Sequence, residues 1–239
     1  MKRARAIALA MGLSAIVGAT PALAGPQVYV YSVIHPFYGE IGTLTDTIDR
    51  SPEATRINAR LRIAVRFLGI VVYRRESDIT EIMHGDRLVS LQSVTDMDGR
   101  HLEVHGEAQG DQFVVKATDG SFAGPATTAP SDPWVLKRTG KGTMVYPDTG
   151  RIIDVHISGG DYGTISVNRA AVYARHFIVI GDKQEDVWLD NREIPVMCRI
   201  VEDGTPIDFV LQNATAAVGA ITITALKRFG SARFDNGAK

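Results

Sequence analysis

The chain has 239 residues, 45% of them hydrophobic and 22% charged, with a formal net charge of −1 and a single cysteine. That balance offers no basic surplus to hold a nucleic acid backbone. One thiol also excludes an intramolecular disulfide, so stability must come from a packed core.

Residues 2–5 (Lys-Arg-Ala-Arg) lead into an apolar stretch, residues 6–20, that is too short to cross a bilayer comfortably. Pro21-Ala22-Leu23-Ala24 follows, and Ala22 and Ala24 meet the small-residue rule for signal-peptide cleavage. The first 24 residues are therefore expected to be a signal peptide, leaving a periplasmic or secreted chain that starts at Gly25. The only cysteine, Cys198, is far from that point, so no lipid attachment is expected there. Three of the 26 basic residues and none of the 27 acidic ones lie in residues 1–24, so the remaining 215 residues carry a net charge of −4. A chain of that length buries roughly 70% of its unfolded surface, enough for one core.

From residue 27 onward apolar side chains recur at every second position, and turn residues interrupt them at short intervals. This is the pattern of an antiparallel β meander. In residues 55–67, Thr55, Ile57, Ala59, Leu61, Ile63, Val65 and Phe67 alternate with Arg56, Asn58, Arg60, Arg62, Ala64 and Arg66, giving one oily and one basic face. Candidate strands follow at 70–83, 87–95, 100–107 and 112–118. Each gap between them is a Gly-bearing turn of hairpin length, as in His84-Gly85-Asp86. Residues 119–133, with three prolines, read as a Pro/Thr/Ala-rich loop or lid that crosses the domain.

Strands are predicted again at 134–138, 143–146, 151–157, 164–180 with a break near Asn168, 184–190, 194–202 and 206–212. Gly159-Gly160-Asp161-Tyr162-Gly163 reads as a flexible turn, and the run past Asn213 fits either a short helix or a strand. Residues 234–239 read as a frayed tail. The expected fold is mainly β: a single antiparallel, strongly curved sheet, half-barrel or barrel, with few helices, in one domain over residues 25–239.

Arg56, Arg60, Arg62 and Arg66 form one row of guanidinium forks that could clasp phosphate or carboxylate groups. The competing expectation is an ion-pair ladder with Glu76, Asp78 and Glu81, worth a few tenths of a kcal/mol per pair. His101, Glu103 and His105 share a strand face, but histidines four residues apart on a strand are roughly 13 Å apart and cannot share an ion. No G-x-S-x-G or S-x-x-K pattern occurs, so acyl transfer has no specific support. Trp134, Tyr146, Tyr173 and Trp188 could line a cavity, although most of them read as core; Trp188, with Asp186 and Asp190 on its own face, is the one whose neighbours suggest a rim position as the alternative. Cys198 shares an apolar strand face with Val196 and Ile200 and is expected to be buried and inert.

Several short landmarks run in a fixed order: Tyr31-Ser32-Val33, Gly39-x-x-Gly42, Leu68-Gly69-Ile70-x-Val72-Tyr73, Glu81-x-x-His84-Gly85-Asp86-Arg87-Leu88, Thr95-x-x-x-Gly99, Val187-Trp188-Leu189-Asp190 and Pro195-Val196. Together they resemble a family of exported bacterial proteins of unknown function, whose fold is expected to be similar to the curved sheet of the lipoprotein carriers LolA and LolB. The resemblance implies a fold and a compartment, with no catalytic residues, metal ligands or cofactors to carry over. Three functions are weighed. The first is non-enzymatic binding of a lipid or amphiphile, with Arg56, Arg60, Arg62, Arg66 and Trp188 as ligand-binding candidates; the others are a metal-dependent or other hydrolase and an assembly factor for another envelope protein. No transmembrane segment is expected after signal cleavage.

Overall fold

The computed structural model describes residues 25–136 and 138–216. The expected signal peptide, and the run beyond residue 216 with its tail, lie outside the described residues. Fifteen strands form one sheet: β1 (Gln27–His35), β2 (Gly39–Arg50), β3 (Thr55–Phe67), β4 (Ile70–His84), β5 (Arg87–Met97), β6 (Arg100–Gln109), β7 (Gln112–Ala117), β8 (Gly120–Pro125), β9 (Ala129–Pro130), β10 (Gly140–Val145), β11 (Ile152–Val167), β12 (Ala170–Ile180), β13 (Gln184–Leu189), β14 (Pro195–Glu202) and β15 (Thr205–Ala216). In space they run β8 to β1, then β15 down to β9. Every neighbouring pair is antiparallel except β9 with β10. The first and last strands therefore meet in the middle of the sheet, with Gln27 opposite Ala216.

The sheet curves until its two ends face each other without joining by hydrogen bonds. Packing closes the seam instead. Val145 and Ile152 from one end join the cluster of Leu88, Leu91, Val104, Phe113 and Val115 from the other. Gly150, at φ +69°, is needed here, because a Cβ would lie 2.8 Å from Val115 Cγ1 and 2.9 Å from Ala117 Cβ. The edge strands carry Pro125 and Pro130, which cannot donate to a further strand and so blunt both edges against aggregation.

Side-chain parity sets inside and outside. Ile57, Leu61 and Val65 of β3 are buried, while Arg56, Arg60 and Arg66 point outward, as alternation predicts. The segment 134–138 corrects that reading: it is not a strand. Pro133–Val135 forms one turn of 3₁₀ helix, capped by Asp132, whose Oδ1 accepts from the Trp134 amide at 2.8 Å. Pro133 favours such a start, because its missing N–H is one the helix would leave unpaired anyway. The expected loop at 119–133 likewise includes the short strands β8 and β9.

A second correction concerns Gly159 and Gly160. They lie within β11 at a bulge, not in a turn, with φ of +90° and +97°. A Cβ on Gly159 would run into the His176 carbonyl, which explains glycine there. The real turn comes at Asn168-Arg169. The bulge lets the far part of the β11–β12 hairpin lie over the outside of the sheet. There Val167 and Ala174 pack with Val196, Val210 and Trp188, and Asn168 Nδ2 donates to the Leu211 carbonyl at 2.8 Å. A register shift between β13 and β14 places Val196 in this outer cluster, whereas Cys198 packs inward beside Phe177, so the two do not share a face.

Candidate ligand cleft at one end of the curved sheet

The 3₁₀ turn and its flanks sit inside the curved sheet. Trp134 lies 4.4 Å from the Tyr29 ring, and its Nε1 donates to Asp46 Oδ2 at 2.9 Å. Above this plug opens a cleft of about 1410 Å³, at the end where β1, β3 and β5 begin and β2 and β15 finish. Its walls are mostly apolar: Tyr29, Ile48, Ile57, Met83, Met144, Leu189 and Ile194, with Trp134 and Leu136 from the plug. Among the described residues its charged side chains are five cations, Arg50, Arg87, Arg138, Lys141 and Arg192, against two acids, Asp86 and Glu193. The cleft thus combines oily walls with a basic mouth.

Four of those cations are partly engaged. Arg50 donates to Gln27 Oε1 at 2.9 Å, Arg87 to the Gly110 carbonyl at 2.7 Å and Arg192 to Asp190 Oδ2 at 3.0 Å, while Arg138 stands 3.6 Å from Asp86. Lys141 has no ion-pair partner among the described residues.

Beneath the plug lie three carboxyls, Asp46 on β2, Glu81 on β4 and Asp132. Asp46 and Glu81 are 3% exposed. Burial raises all three above the ordinary carboxylate range, and each neighbouring negative charge pushes Asp46 and Glu81 further; hydrogen bonding to Trp134 pulls Asp46 and Asp132 back only in part. Asp132 is pushed up to about 7. Asp46 Oδ1 and Glu81 Oε2 have no hydrogen-bond partner among the described residues. A neutral, protonated carboxyl is the form such surroundings favour. Glu185, half-buried on β13, is pushed up to about 7 by desolvation despite Lys183.

The five residues singled out from the sequence are placed elsewhere. Arg60 Nε meets Asp78 Oδ1 at 2.8 Å, and Arg62 meets Asp78 Oδ2 at 2.7 Å and Glu76 at 3.4 Å, all on the outer surface. Burial tends to raise Asp78, but hydrogen bonds from Arg60 and Arg62 outweigh it and hold the carboxyl below its usual range. Arg56 and Arg66 face Ile82 and Val71 across the β3–β4 pair and so stand outside this ladder, although Arg56 has Asp49 as its register partner on β2. Glu81 does not join the ladder, because its odd number puts it on the same face as Ser77 and Met83, inside. Trp188 stacks on His176 at 4.5 Å, on the outside, beneath the β11–β12 hairpin. None of the five lines the cleft.

His101 contacts Asp96 at 2.8 Å and Glu103 at 3.1 Å on the exposed face of β6, and these hydrogen bonds raise its pKa. Among the described residues no three His, Cys, Asp or Glu side chains converge to hold a metal ion. Cys198 is half-buried, and burial pushes its thiol well up, away from nucleophilic character.

A family profile described as DUF6134, a domain of unknown function, matches residues 39–212. The chain belongs to this family. Its matched segment runs from the start of β2 to the middle of β15, so it takes in the plug and nearly all of the sheet. No curated protein matches the chain. Among solved structures it is similar to the crystal structure of a beta-barrel-like protein of the domain of unknown function DUF1849 from Brucella abortus, with a TM-score of 0.61 and 10% identity, over 81% of this chain and 98% of the other. At that identity the likeness speaks to fold alone. No helix among the described residues is long and apolar enough to cross a membrane.

The rim cations escaped sequence reasoning because they come from separated places: the end of β2, the start of β5, the segment after the plug, β10 and the β13–β14 loop. Only the sheet's curvature gathers them. Glu81 could have been found, since an acid at an apolar-face position of a strand is a parity violation visible in the sequence.

Proposed function

We propose that this domain acts outside the cytoplasm as a non-enzymatic binding protein that takes the apolar part of an amphiphile into the end cleft and meets its anionic head at the rim. One observation carries the reading: a large cleft with apolar walls has, among the described residues, five cations and two acids at its mouth. Ligand sites are concave, mostly apolar and about 300–1,000 Å³ in volume, with a few polar groups fixing orientation, and this cleft has room for a molecule with a long chain. The export signature in residues 1–24 supports the compartment. A carrier role of the kind implied by the resemblance to LolA and LolB is the finer form of the same reading. The outer arginine row is a weaker candidate for the head group, because Arg60 and Arg62 already hold Asp78 and Glu76.

Titration with palmitate and with hexadecanol, followed by Trp134 fluorescence, tests it. Both ligands should bind, the acid more tightly, and Arg50→Ala combined with Arg192→Ala should erase the preference for the acid while leaving the alcohol bound. Absence of binding by either ligand, together with no lipid in solvent extracts of the purified protein, would remove the proposal.

A further inference from the structure

The opposite end of the sheet carries a feature that neither the core nor the cleft uses. Two neighbouring hairpin turns there, β1–β2 and β3–β4, expose Phe37 (86%), Tyr38, Phe67, Leu68 (87%), Ile70 and Val72. These are six of the ten large hydrophobic side chains exposed among the described residues. Turns at solvent-exposed hairpin ends normally carry polar or glycine residues, so the concentration has no explanation in folding.

Leu68 makes the point sharply. It sits at φ +50°, the left-handed region, followed by Gly69 at +82°. The same slot is filled by Asp98 at +47°, Asp203 at +49° and Asn168 at +50° in three other hairpins of this molecule. Asp and Asn tolerate that conformation through local hydrogen bonding, whereas leucine gains nothing locally from it. A residue that suits neither its backbone nor its solvent is better explained by contact with something outside the chain.

The charges around the tip indicate what that is. The β3–β4 hairpin itself carries Arg66 and Arg74 near its tip and no acid before Glu76, while Arg75 turns inward to Asp148; the acids nearest the two tips are Glu40, at the start of β2, and Asp98, from the β5–β6 turn. Arg66 is exposed and has no ionic partner among the described residues; the Arg74 guanidinium lies 3.8 Å from Glu76, and its amide donates to Asp98 Oδ1 at 2.8 Å. At the neighbouring turn His35 lies 4.7 Å from Tyr38 and accepts from the Phe37 amide at 3.0 Å, which fixes the aromatic pair in place. The exposed side chains stand on two tight turns, residues 36–38 and 68–69, and on the strand residues beside them. The tips' backbone groups are paired within the hairpins, so burial in an apolar phase strands few of them.

We propose that the β1–β2 and β3–β4 tips dock on an anionic lipid surface, with Phe37, Phe67, Leu68 and Ile70 entering the interfacial layer and Arg66 and Arg74 meeting the head groups. This goes beyond the cleft reading and is independent of it: β4 runs roughly 45 Å of strand from this tip to the cleft rim, and the tip's test does not depend on any ligand in the cleft.

Vesicle flotation tests it. All fifteen strands lie within residues 27–216, so the chain beginning at Gly25 carries the whole sheet and omits the apolar leader. It should float with vesicles of phosphatidylethanolamine and phosphatidylglycerol and much less with phosphatidylcholine. Leu68→Asn should bind about tenfold more weakly, the effect of withdrawing one leucine from an apolar phase. Its thermal midpoint should hold or rise, because asparagine suits the turn. Arg66→Glu should lose the preference for the anionic vesicles. Failure of the unmodified chain to float with anionic vesicles, equal flotation of Leu68→Asn, or equal binding to phosphatidylcholine would each overturn the proposal. So would concentration-dependent self-association abolished by Leu68→Asn, which would make a second copy the occupant.

Discussion

Trp134 and Arg62 show how differently two side chains with good hydrogen bonds can matter. Trp134 packs on Tyr29 and is the hydrogen-bond donor to Asp46, whose other oxygen is already unpaired. Trp134→Ala therefore opens a cavity and leaves a buried carboxyl without partners; it should cost about 3–5 kcal/mol in urea unfolding. Arg62 bonds two acids in water, where Coulomb attraction is weak and side-chain ordering opposes it. Arg62→Ala should cost less than about 1 kcal/mol by the same measurement. The visible geometry ranks these two residues alike, and burial reverses the ranking.

At the scale of the element, the plug is tied to titration. Asp132 on the plug faces Asp46 and Glu81 on the sheet, and burial raises all three above their ordinary range. A group whose pKa is raised by folding contributes stability that is complete below its unfolded value, near 4, and is lost as pH climbs through its folded value. For Asp132 that value is about 7. Stability should therefore fall between roughly pH 5 and pH 8, by about 1.4 kcal/mol for each unit of displacement, opposite to the usual loss in acid. Thermal midpoints across that range provide the check, and Asp46→Asn with Glu81→Gln should flatten the slope. A midpoint that rises steadily from pH 5 to pH 8 would contradict the burial of uncompensated carboxyls beneath the plug.

Alternation makes most elements readable in the sequence. β3 occupies residues 55–67 as expected, and the hairpins that follow it differ by only one or two residues. Where the reading failed, a non-periodic cause was at work. Residues 133–135 carry an apolar run but start with Pro133 and an Asp132 cap, and they enter the interior instead of pairing. Gly159-Gly160 looked like punctuation because glycine marks turns and bulges alike, and only the close approach of the His176 carbonyl distinguishes them. The outer arginine ladder was legible from register, since Arg60 opposes Asp78 and Arg62 opposes Glu76. The cleft was not, because its rim assembles from segments far apart in the chain.

For the molecule as a whole, closure depends on the seam, where no backbone ladder helps. Gly150→Val puts a branched side chain where a Cβ already comes within 2.9 Å of Val115 and Ala117, at a φ that favours glycine. It should destabilise by more than about 3 kcal/mol, with increased binding of a dye that reports exposed apolar surface. A substitution at Gly204, in a turn where a Cβ meets nothing, should cost only the local backbone strain.

The meeting of β1 with β15 has a further consequence for how the chain is wired. Gln27 and Ala216 are register partners, so a short linker could join those ends. If the chain were cut between Pro125 and Ala129 instead, its strands would be read from β9 through β15 and then from β1 to β8, in the same order in which they lie side by side. Such a rearranged protein would pair each strand with its neighbour in sequence, antiparallel everywhere except β9 with β10, whereas the natural chain must wait for β15 before β1 has both neighbours.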